Sequence, residues 1–542
     1  MDLFATAASW LSQDPDPETR TELQQLIDSK DSAALHSRFA ERLEFGTAGL
    51  RGELGAGPNR MNQVVVAQTA LGIARFLIKN RSEYVDANGE LSVVIGYDGR
   101  INSEVFGRLS AEIFAAAGLK AMLFDQKVPT PVGAFTGKRL GASAAIVVTA
   151  SHNPPRDNGY KVYLGGKTAN SQLVPPQDSE IAQEIAGVAK GITFPEIPRS
   201  QDYEFLGDAE IEHYIQRALS LIPQDAASQA RRAKLRIVHT SMHGVGWRVV
   251  SELFSKSGFS LSSVPEQQEP DGNFPTVSFP NPEEPGAMDL SLSLARSLGA
   301  DLILANDPDA DRLAVGFGNP ARMLTGDQVG MLLAELMARS GAKVIANSIV
   351  SEDLSPIAKY YGIDYQQTLT GFKWISKVAG LDYGYEEALG YCVDPEFTPD
   401  KDGITAALLV AELASNLAEQ GLNLGSMLSE MAERYGESAS GQVSIRVSDL
   451  AVISSVMESL RENPPGEILS EKVSVEDYLL KPGLNQTNAL IFSSEHLKVI
   501  FRPSGTEPKL KCYLQYRGKE ATAGLERLKV WAKEIIEANS RR

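Results

Sequence analysis

The feature that most narrows what this chain can fold into is an apolar strand that ends in a polar loop and leads into an amphipathic helix, because it recurs. LSVVIGYD, LKAMLF and SAAIVVTA are apolar, β-branched runs of strand length, and SEVFGRLSAEIFAAAG carries helical spacing. The β, α, β rhythm returns at LRIVHT, WRVVSELFSKSG and DLILAND. It returns again at RLAVGF, GDQVGMLLAELMARSG and KVIANSIV, before the long helical pattern ITAALLVAELASNLAEQG. Such alternation builds sheets with helices on their faces. Ahead of it, residues 1–45 read as amphipathic helix, and the Gly-rich loop FGTAGLRGELGAGPNRMN precedes the helical VVVAQTALGIARFLI. After about residue 436 the pattern changes to the short strands GQVSIRV, NALIFSS, HLKVIFRP and KLKCYLQYR flanked by helices, which suits antiparallel pairing. The expected fold is α/β with four domains: three mixed α/β domains at 1–205, 206–320 and 321–435, then a smaller α+β domain at 436–542.

The charge balance excludes several functions. With 52 basic and 69 acidic residues the chain carries −17, so its mean field repels nucleic acid and acidic membrane surfaces, and a phosphate ligand has to be captured locally. No basic segment followed by an apolar run opens the sequence, and no stretch of about 18 apolar residues occurs. The two cysteines, Cys392 and Cys512, lie in apolar stretches, which suits a reducing compartment and leaves no Cys-based zinc site. A cytoplasmic protein is expected, acting on small molecules, with no nucleic-acid, membrane or obligate protein partner evident.

Three segments carry chemistry. Thr149-Ala150-Ser151-His152-Asn153-Pro154 lies where an apolar strand ends, the place where α/β sheets hold ligands. The prolines after Asn153 are expected to keep the backbone extended and present Ser151 outward. Neighbours on extended chain point to opposite faces, which places His152 badly as a base for Ser151. No G-x-S-x-G elbow surrounds the serine, so a hydrolase reading lacks support, whereas a phosphoryl-carrying serine needs a metal and cations nearby. Asn306-Asp307-Pro308-Asp309-Ala310-Asp311-Arg312 ends another strand. On extended backbone Asp307, Asp309 and Asp311 share a face and can converge on one hard cation, leaving positions for a phosphate oxygen. An EF-hand is excluded because Arg312 stands where Gly is needed and Gly318 where Glu is needed. The third segment, Arg502-Pro503-Ser504-Gly505-Thr506, combines a forked donor, two hydroxyls and a permissive Gly, the components of a phosphate cradle or of an ordinary turn. Near-matches to a P-loop and a dinucleotide fingerprint fail at Lys161 and Arg60, where each needs Gly.

In this order and over this length, the three segments resemble those of the α-D-phosphohexomutase superfamily, specifically its phosphoglucomutase branch. The resemblance implies four domains around a central active-site cleft. It implies that Ser151 is the phosphoserine, and that Asp307, Asp309 and Asp311 hold Mg²⁺ together with the phosphate on Ser151. Lys161 matches the family lysine proposed as general base, and Arg51 an active-site arginine; His152 is grouped with them as a catalytic candidate. Thr370-Gly371-Phe372-Lys373 and Gly384-Tyr385-Glu386-Glu387-Ala388 look like the two sugar loops, with Thr370, Gly371, Lys373 and Glu386 toward the sugar. Arg502, Ser504, Gly505 and Thr506 would clamp the phosphate that is not reacting. The chain departs from many members at Ala388, where they have Ser, and at Gly390-Tyr391, where bacterial mannose/glucose enzymes have Gly-His. Glu-Glu-Ala is similar to the subgroup with phosphopentomutases and glucose-1,6-bisphosphate synthases.

The implied activity is interconversion of glucose 1-phosphate and glucose 6-phosphate through a bound glucose 1,6-bisphosphate, which also serves as activator. Phosphomannomutase and phosphopentomutase activities are alternatives with the same mechanism. A haloacid-dehalogenase-like phosphatase using Asp307 is disfavoured by its broken D-x-D-x-[TV] pattern, and a non-catalytic phosphosugar-binding protein is a further alternative.

Overall fold

The structure, a computed structural model, describes residues 3–45, 49–86, 88–168, 170–446, 450–483, 486–503 and 509–540. It divides into two compact units, Met1–Ala342 with Gly371–Leu424, and Lys343–Thr370 with Gly425–Arg542.

The first unit holds two open sheets built as the alternation predicts. In the first sheet Ala144–Val148, Ser92–Tyr97, Lys120–Phe124 and Glu204–Leu206 run parallel, and Asp157–Leu164 adds antiparallel to Ala144–Val148. The central strands are buried along their whole length because helices cover both faces, which is why they read as continuous apolar runs. One of the covering helices, Gln63–Lys79, is itself buried over most of its length and starts on Asn62, whose side chain accepts from Val65 N. The second sheet orders Arg322–Met323, Leu313–Phe317, Leu302–Asn306, Arg236–Thr240 and Ser260–Ser263. The helices Gly326–Arg339 and Gly403–Glu419 and the hairpin Tyr383–Glu386 with Gly390–Cys392 complete this unit. The second unit pairs Val344–Ser348 parallel to Asp364–Thr368. It also carries an antiparallel sheet in the order Ser438–Arg446, Lys509–Arg517, Leu497–Pro503, Leu490–Ser493, Ser474–Asp477, with its own apolar core. Along the sequence the architecture is three α/β/α domains followed by a C-terminal β-rich domain. No helix among the described residues is long and apolar enough to cross a membrane.

Three expectations change. Residues 3–39 form three helices, Leu3–Gln13, Pro17–Asp28 and Ser32–Phe39; Pro15 and Pro17 interrupt the pattern, and Asp16 and Asp31 cap the second and third. The Gly-rich loop contains a strand, Leu50–Glu53, antiparallel to Asp157–Leu164. RLAVGF does not open a third α/β set, because Leu313–Phe317 folds back antiparallel on Leu302–Asn306. The polar loop between them is thereby closed into a hairpin.

The second sheet is fastened to the helix Gly403–Glu419 by Arg232, which is fully buried. Its Nε donates to Glu412 Oε2 at 2.6 Å, Nη1 to Ser257 O at 3.0 Å and Nη2 to Pro223 O at 2.6 Å. Arg231 reaches the other oxygen of Glu412 at 2.7 Å. Removing one member of a buried pair strands charge and carbonyls without partners. Arg232→Met is therefore expected to destabilise the first unit by about 3 kcal/mol in urea unfolding. The exposed Arg248–Asp208 pair supplies the contrast, and Arg248→Ala should cost under about 1 kcal/mol.

Candidate active site

The two strand-end loops of the first unit meet. Ser151 Oγ donates to Asp307 Oδ2 at 2.7 Å and lies 3.1 Å from His152 Nδ1. Both distances depend on the backbone at Ser151, whose φ is +52°. That left-handed turn, rather than an extended chain, is what the loop adopts. It buries Ser151 instead of presenting it outward, and it brings the side chains of Ser151 and His152 together where extended geometry would separate them. His152 is thus well placed as a partner of Ser151. Enclosure by the protein, then the adjacent Arg312 and Arg51, hold its pKa well below the usual histidine value, so the ring is neutral and able to accept.

The aspartates also converge, through a turn. Ala310 takes φ +57°, and its N–H donates to Asp307 O at 2.8 Å, curling the loop so that three carboxylates face one point. One oxygen from each of Asp307, Asp309 and Asp311 lies within 4.8 Å of the others, and all three residues are buried. Asp309 Oδ1 and Asp311 Oδ1 are buried without a hydrogen-bond partner. Unsatisfied buried carboxylate oxygens clustered at this spacing fit a hard divalent cation.

Cations already neutralise part of this charge. Lys161 Nζ donates to Asp309 Oδ2 at 2.6 Å and Asp311 Oδ2 at 2.7 Å, and Lys401 Nζ lies 3.2 Å from Asp311 Oδ2. Burial alone would discharge Lys161, but Asp309 and Asp311 outweigh it and its pKa lies above the usual lysine value. As placed, Lys161 is a donor to two of the three carboxylates. Asp311 is likewise held low, since Lys161, Lys401 and Arg312 outweigh its burial. Asp307 moves up, through burial and the charges of Asp309 and Asp311.

Neighbouring loops fix this cluster. Thr130 N donates to Asp309 O at 2.9 Å, and Thr130 Oγ1 donates to Asp309 Oδ2. Arg51 Nη1 donates to Asn153 Oδ1 at 2.9 Å. The hairpin bearing Glu386 is joined to the aspartate loop by Leu313 N to Leu389 O at 3.0 Å and by Arg312 Nη1 to Ala388 O. Two glycines permit that approach. A Cβ on Gly403 would lie 2.2 Å from Arg312 O, and one on Gly390 would lie 2.3 Å from Lys401 Cδ. Glu386 and Lys373 are buried, Thr370 is half-buried, and Gly371 opens the short helix Phe372–Ile375 at φ +113°. In the second unit Arg502 is half-buried on Leu497–Pro503, opposite Lys511; Ser504, Gly505 and Thr506 lie outside the described residues. Sequence reasoning missed Lys401, Thr130 and Arg100. Asp400-Lys401-Asp402-Gly403 and Tyr97-Asp98-Gly99-Arg100, charged clusters beside predicted elements, were the available signals.

Residues 42–190, 212–319 and 325–435 match, in order, the α/β/α domains I, II and III of phosphoglucomutase/phosphomannomutase. A Haemophilus influenzae protein named "Probable phosphomannomutase" is 46% identical over 469 residues, covering 85% of this chain and 94% of that one. The phosphopentomutase of Homo sapiens is 33% identical, covering 98% of this chain and 94% of that one. Among solved structures, parafusin, a phosphoglucomutase of Paramecium, in its open form, shares the fold with a TM-score of 0.70 at 18% identity, over 91% of this chain and 95% of that one. The chain belongs to the α-D-phosphohexomutase superfamily, and is an enzyme of its intramolecular phosphotransferase class.

One group beneath the aspartate loop makes a pH-dependent statement. His239, at the end of Arg236–Thr240, is fully buried and stacked on Trp247. Asn306 Nδ2 donates to Arg312 O at 2.8 Å, so Asn306 Oδ1 must accept from His239 Nε2, 3.0 Å away. Nδ1 has no partner, and burial lowers the ring's pKa from 6.5 to about 4. Because the folded value is depressed, the stability this neutral ring allows is complete above pH 6.5 and lost as pH falls toward 4. Between pH 7.5 and 5, wild type should lose about 2 kcal/mol more than His239→Gln, read from urea midpoints of both. Equal losses would assign the acid sensitivity to other groups.

Proposed function

We propose that the chain interconverts glucose 1-phosphate and glucose 6-phosphate, with Ser151 as phosphoryl carrier and glucose 1,6-bisphosphate as bound intermediate and activator. The observation that carries this is the 2.7 Å contact of the Ser151 hydroxyl with Asp307, one of three clustered carboxylates. A serine with no elbow or hydrolytic triad, set on a cation-binding cluster and ringed by Arg51, Lys161 and Arg312, suits phosphoryl transfer, where positioning and charge neutralisation do most of the catalysis.

Phosphorylated Ser151 gives its group to the free hydroxyl of the sugar phosphate: the sugar O–P bond forms, the Oγ–P bond breaks, and the proton that the hydroxyl loses is balanced by one gained on Oγ. The bisphosphate turns around, and the opposite phosphate returns to Ser151. In the structure the Oγ hydrogen lies on Asp307; were it to turn to His152, 3.1 Å away, the neutral ring could take it as Oγ takes up that group. Lys161, charged, donates to the oxygens around the transferring group and can deliver a proton to the leaving Oγ or sugar oxygen. Glu386 is assigned the sugar hydroxyls, and Thr370, Gly371 and Lys373 the sugar, on sequence grounds. Arg502, Ser504, Gly505 and Thr506 are assigned the spectator phosphate on sequence grounds. Held by Asp307, Asp309 and Asp311, Mg²⁺ would neutralise phosphoryl charge when bound. A cytoplasmic setting accompanies this reading, supported by the free thiols of Cys392 and Cys512.

Pentose phosphates form the second reading, favoured by the human phosphopentomutase matching nearly the whole chain and by Ala388, which offers a methyl group beside Glu386 where many hexose enzymes offer a hydroxyl.

Ser151→Ala is expected to fold and to lose roughly three or more decades of turnover, since the covalent route loses its nucleophile. Assaying wild type and variant on glucose, mannose, ribose and deoxyribose 1-phosphates tests carrier and substrate together. Near-wild-type turnover by the variant eliminates the carrier, and a pentose phosphate giving the highest kcat/KM replaces glucose. For the metal, EDTA should abolish activity and Mg²⁺ restore it, with Asp309→Asn raising the Mg²⁺ concentration needed at least tenfold. Full activity after rigorous chelation would make the aspartate cluster structural.

A further inference from the structure

Ser151 sits in a backbone conformation that costs an L-residue roughly 1–2 kcal/mol, so something must hold it there. Bonds within the loop are few: Ser151 N donates to Thr149 Oγ1 at 2.9 Å, Asn153 N to Ala150 O at 3.1 Å, Asp157 N to Pro154 O at 3.0 Å and Asn153 Nδ2 to Asp157 Oδ2 at 2.8 Å. The larger constraint comes from another loop. Arg100, buried at the end of Ser92–Tyr97, the strand next to Ala144–Val148, pushes its guanidinium under the serine loop. Nη2 donates to Ser151 O at 2.6 Å and Asn153 O at 2.7 Å, and Nη1 donates to Pro154 O at 2.8 Å and Asp157 O at 3.0 Å. Every Nη–H is used, and every acceptor is a main-chain carbonyl of the one loop.

The charge this buries is balanced beside it. Asp98 Oδ2 lies 3.5 Å from Arg100 Nε, and Asp98 Oδ1 accepts from Arg100 N at 3.0 Å and Ser103 Oγ at 2.6 Å. Phe274 closes the other side, its ring centroid 4.9 Å from the guanidinium carbon. Carbonyls that turn toward a buried cation cannot turn away without leaving it unpaired, so the loop has one low-energy arrangement. In that arrangement Oγ meets Asp307 and His152 together.

We propose that Arg100 is the positioning residue of the phosphoryl-carrying serine: four hydrogen bonds from one buried guanidinium lock the left-handed turn that aims Ser151 Oγ. The four Nη bonds of Arg100 go to main-chain carbonyls and its Nε faces Asp98, none of them reaching Asp307, Asp309 or Asp311, so its effect is expected on transfer and not on sugar capture. The inference rests on Ser151 being the carrier.

The test uses the full-length enzyme. Wild type is first incubated with glucose 1,6-bisphosphate and analysed by mass spectrometry; no phosphate on Ser151 there would defeat the carrier reading itself, before any variant is made. Arg100→Lys keeps the charge but has three donors on one nitrogen and cannot span four carbonyls. It should slow single-turnover phosphorylation of Ser151 and lower kcat by about tenfold or more, with KM for glucose 1-phosphate within about twofold of wild type. Asp98→Asn keeps both volume and the Oδ1 acceptor while removing the charge facing Nε. It should give the same split at smaller amplitude, and it serves if Arg100→Lys does not fold. Phosphorylation rates within twofold of wild type in a folded variant overturn the proposal. So does a fall in kcat matched by a rise in KM and a lower Tm, which describes a merely structural arginine.

Discussion

Three carboxylates buried at one point are the constraint on which the rest of the first unit depends. Asp307, Asp309 and Asp311 are each at most 1% exposed, and desolvated carboxylates at this spacing repel strongly unless cations come to them. The chain brings those cations from separate segments. Lys161 reaches in from the strand Asp157–Leu164, Lys401 from the start of the helix Gly403–Glu419, and Arg312 from the loop itself, its Nε 3.9 Å from Asp311 Oδ1. Neutralising one cluster therefore joins elements that lie hundreds of residues apart. Asp400 extends the connection, accepting from Tyr163 Oη at 2.7 Å and Gln172 Nε2 at 2.6 Å, so the strand and helix that carry the two lysines are also tied to each other.

Ser151 belongs to this arrangement through sheet geometry. Ser151, Asp307 and Arg100 all follow the carboxyl ends of buried strands, where a parallel sheet leaves loops free to face ligand while the strands fix their roots. A rigid root does not by itself determine a loop. The turn at Ser151 is held from beneath by carbonyl bonds to Arg100, and the turn at Ala310 by bonds inside the aspartate loop and from Thr130. Side-chain chemistry on the upper side is thus set by main-chain chemistry on the lower side.

That division explains what the sequence revealed. The alternating strands and helices were legible because burial on both faces demands continuous apolar runs, and Ser151 and the three aspartates were legible because three polar segments stand in one order along the chain, none of them distinctive alone. Convergence of the aspartates was anticipated, but on an extended backbone, whereas Ala310 in a left-handed turn produces it. His152 was misjudged for the same reason, since adjacent side chains diverge only while the chain is extended. Arg100 and Lys401 stayed invisible because a buried arginine and a surface arginine are spelled alike; only the contact from Asp98 on one side and four carbonyls on the other distinguishes them. Leu313–Phe317 was placed in the wrong set because periodicity reports that a segment is a strand without reporting its partner.

The Glu386 hairpin is placed by different physics from the charge balance of the aspartates. The hairpin bearing Glu386 is fixed to the aspartate loop by backbone atoms: Ala388 contributes its carbonyl to Arg312, and Leu389 its carbonyl to Leu313 N. Tyr385 anchors the same strand from the far side, its hydroxyl 2.8 Å from Asp327 Oδ1 and its ring packed where Gly330 leaves room. These bonds place the hairpin but do not depend on which side chain stands at 388. A change there from methyl to hydroxyl would leave the distance between hairpin and aspartates intact. Loops locked through carbonyls and glycines can therefore keep one arrangement around the aspartates, while the side chains on a single hairpin are free to differ.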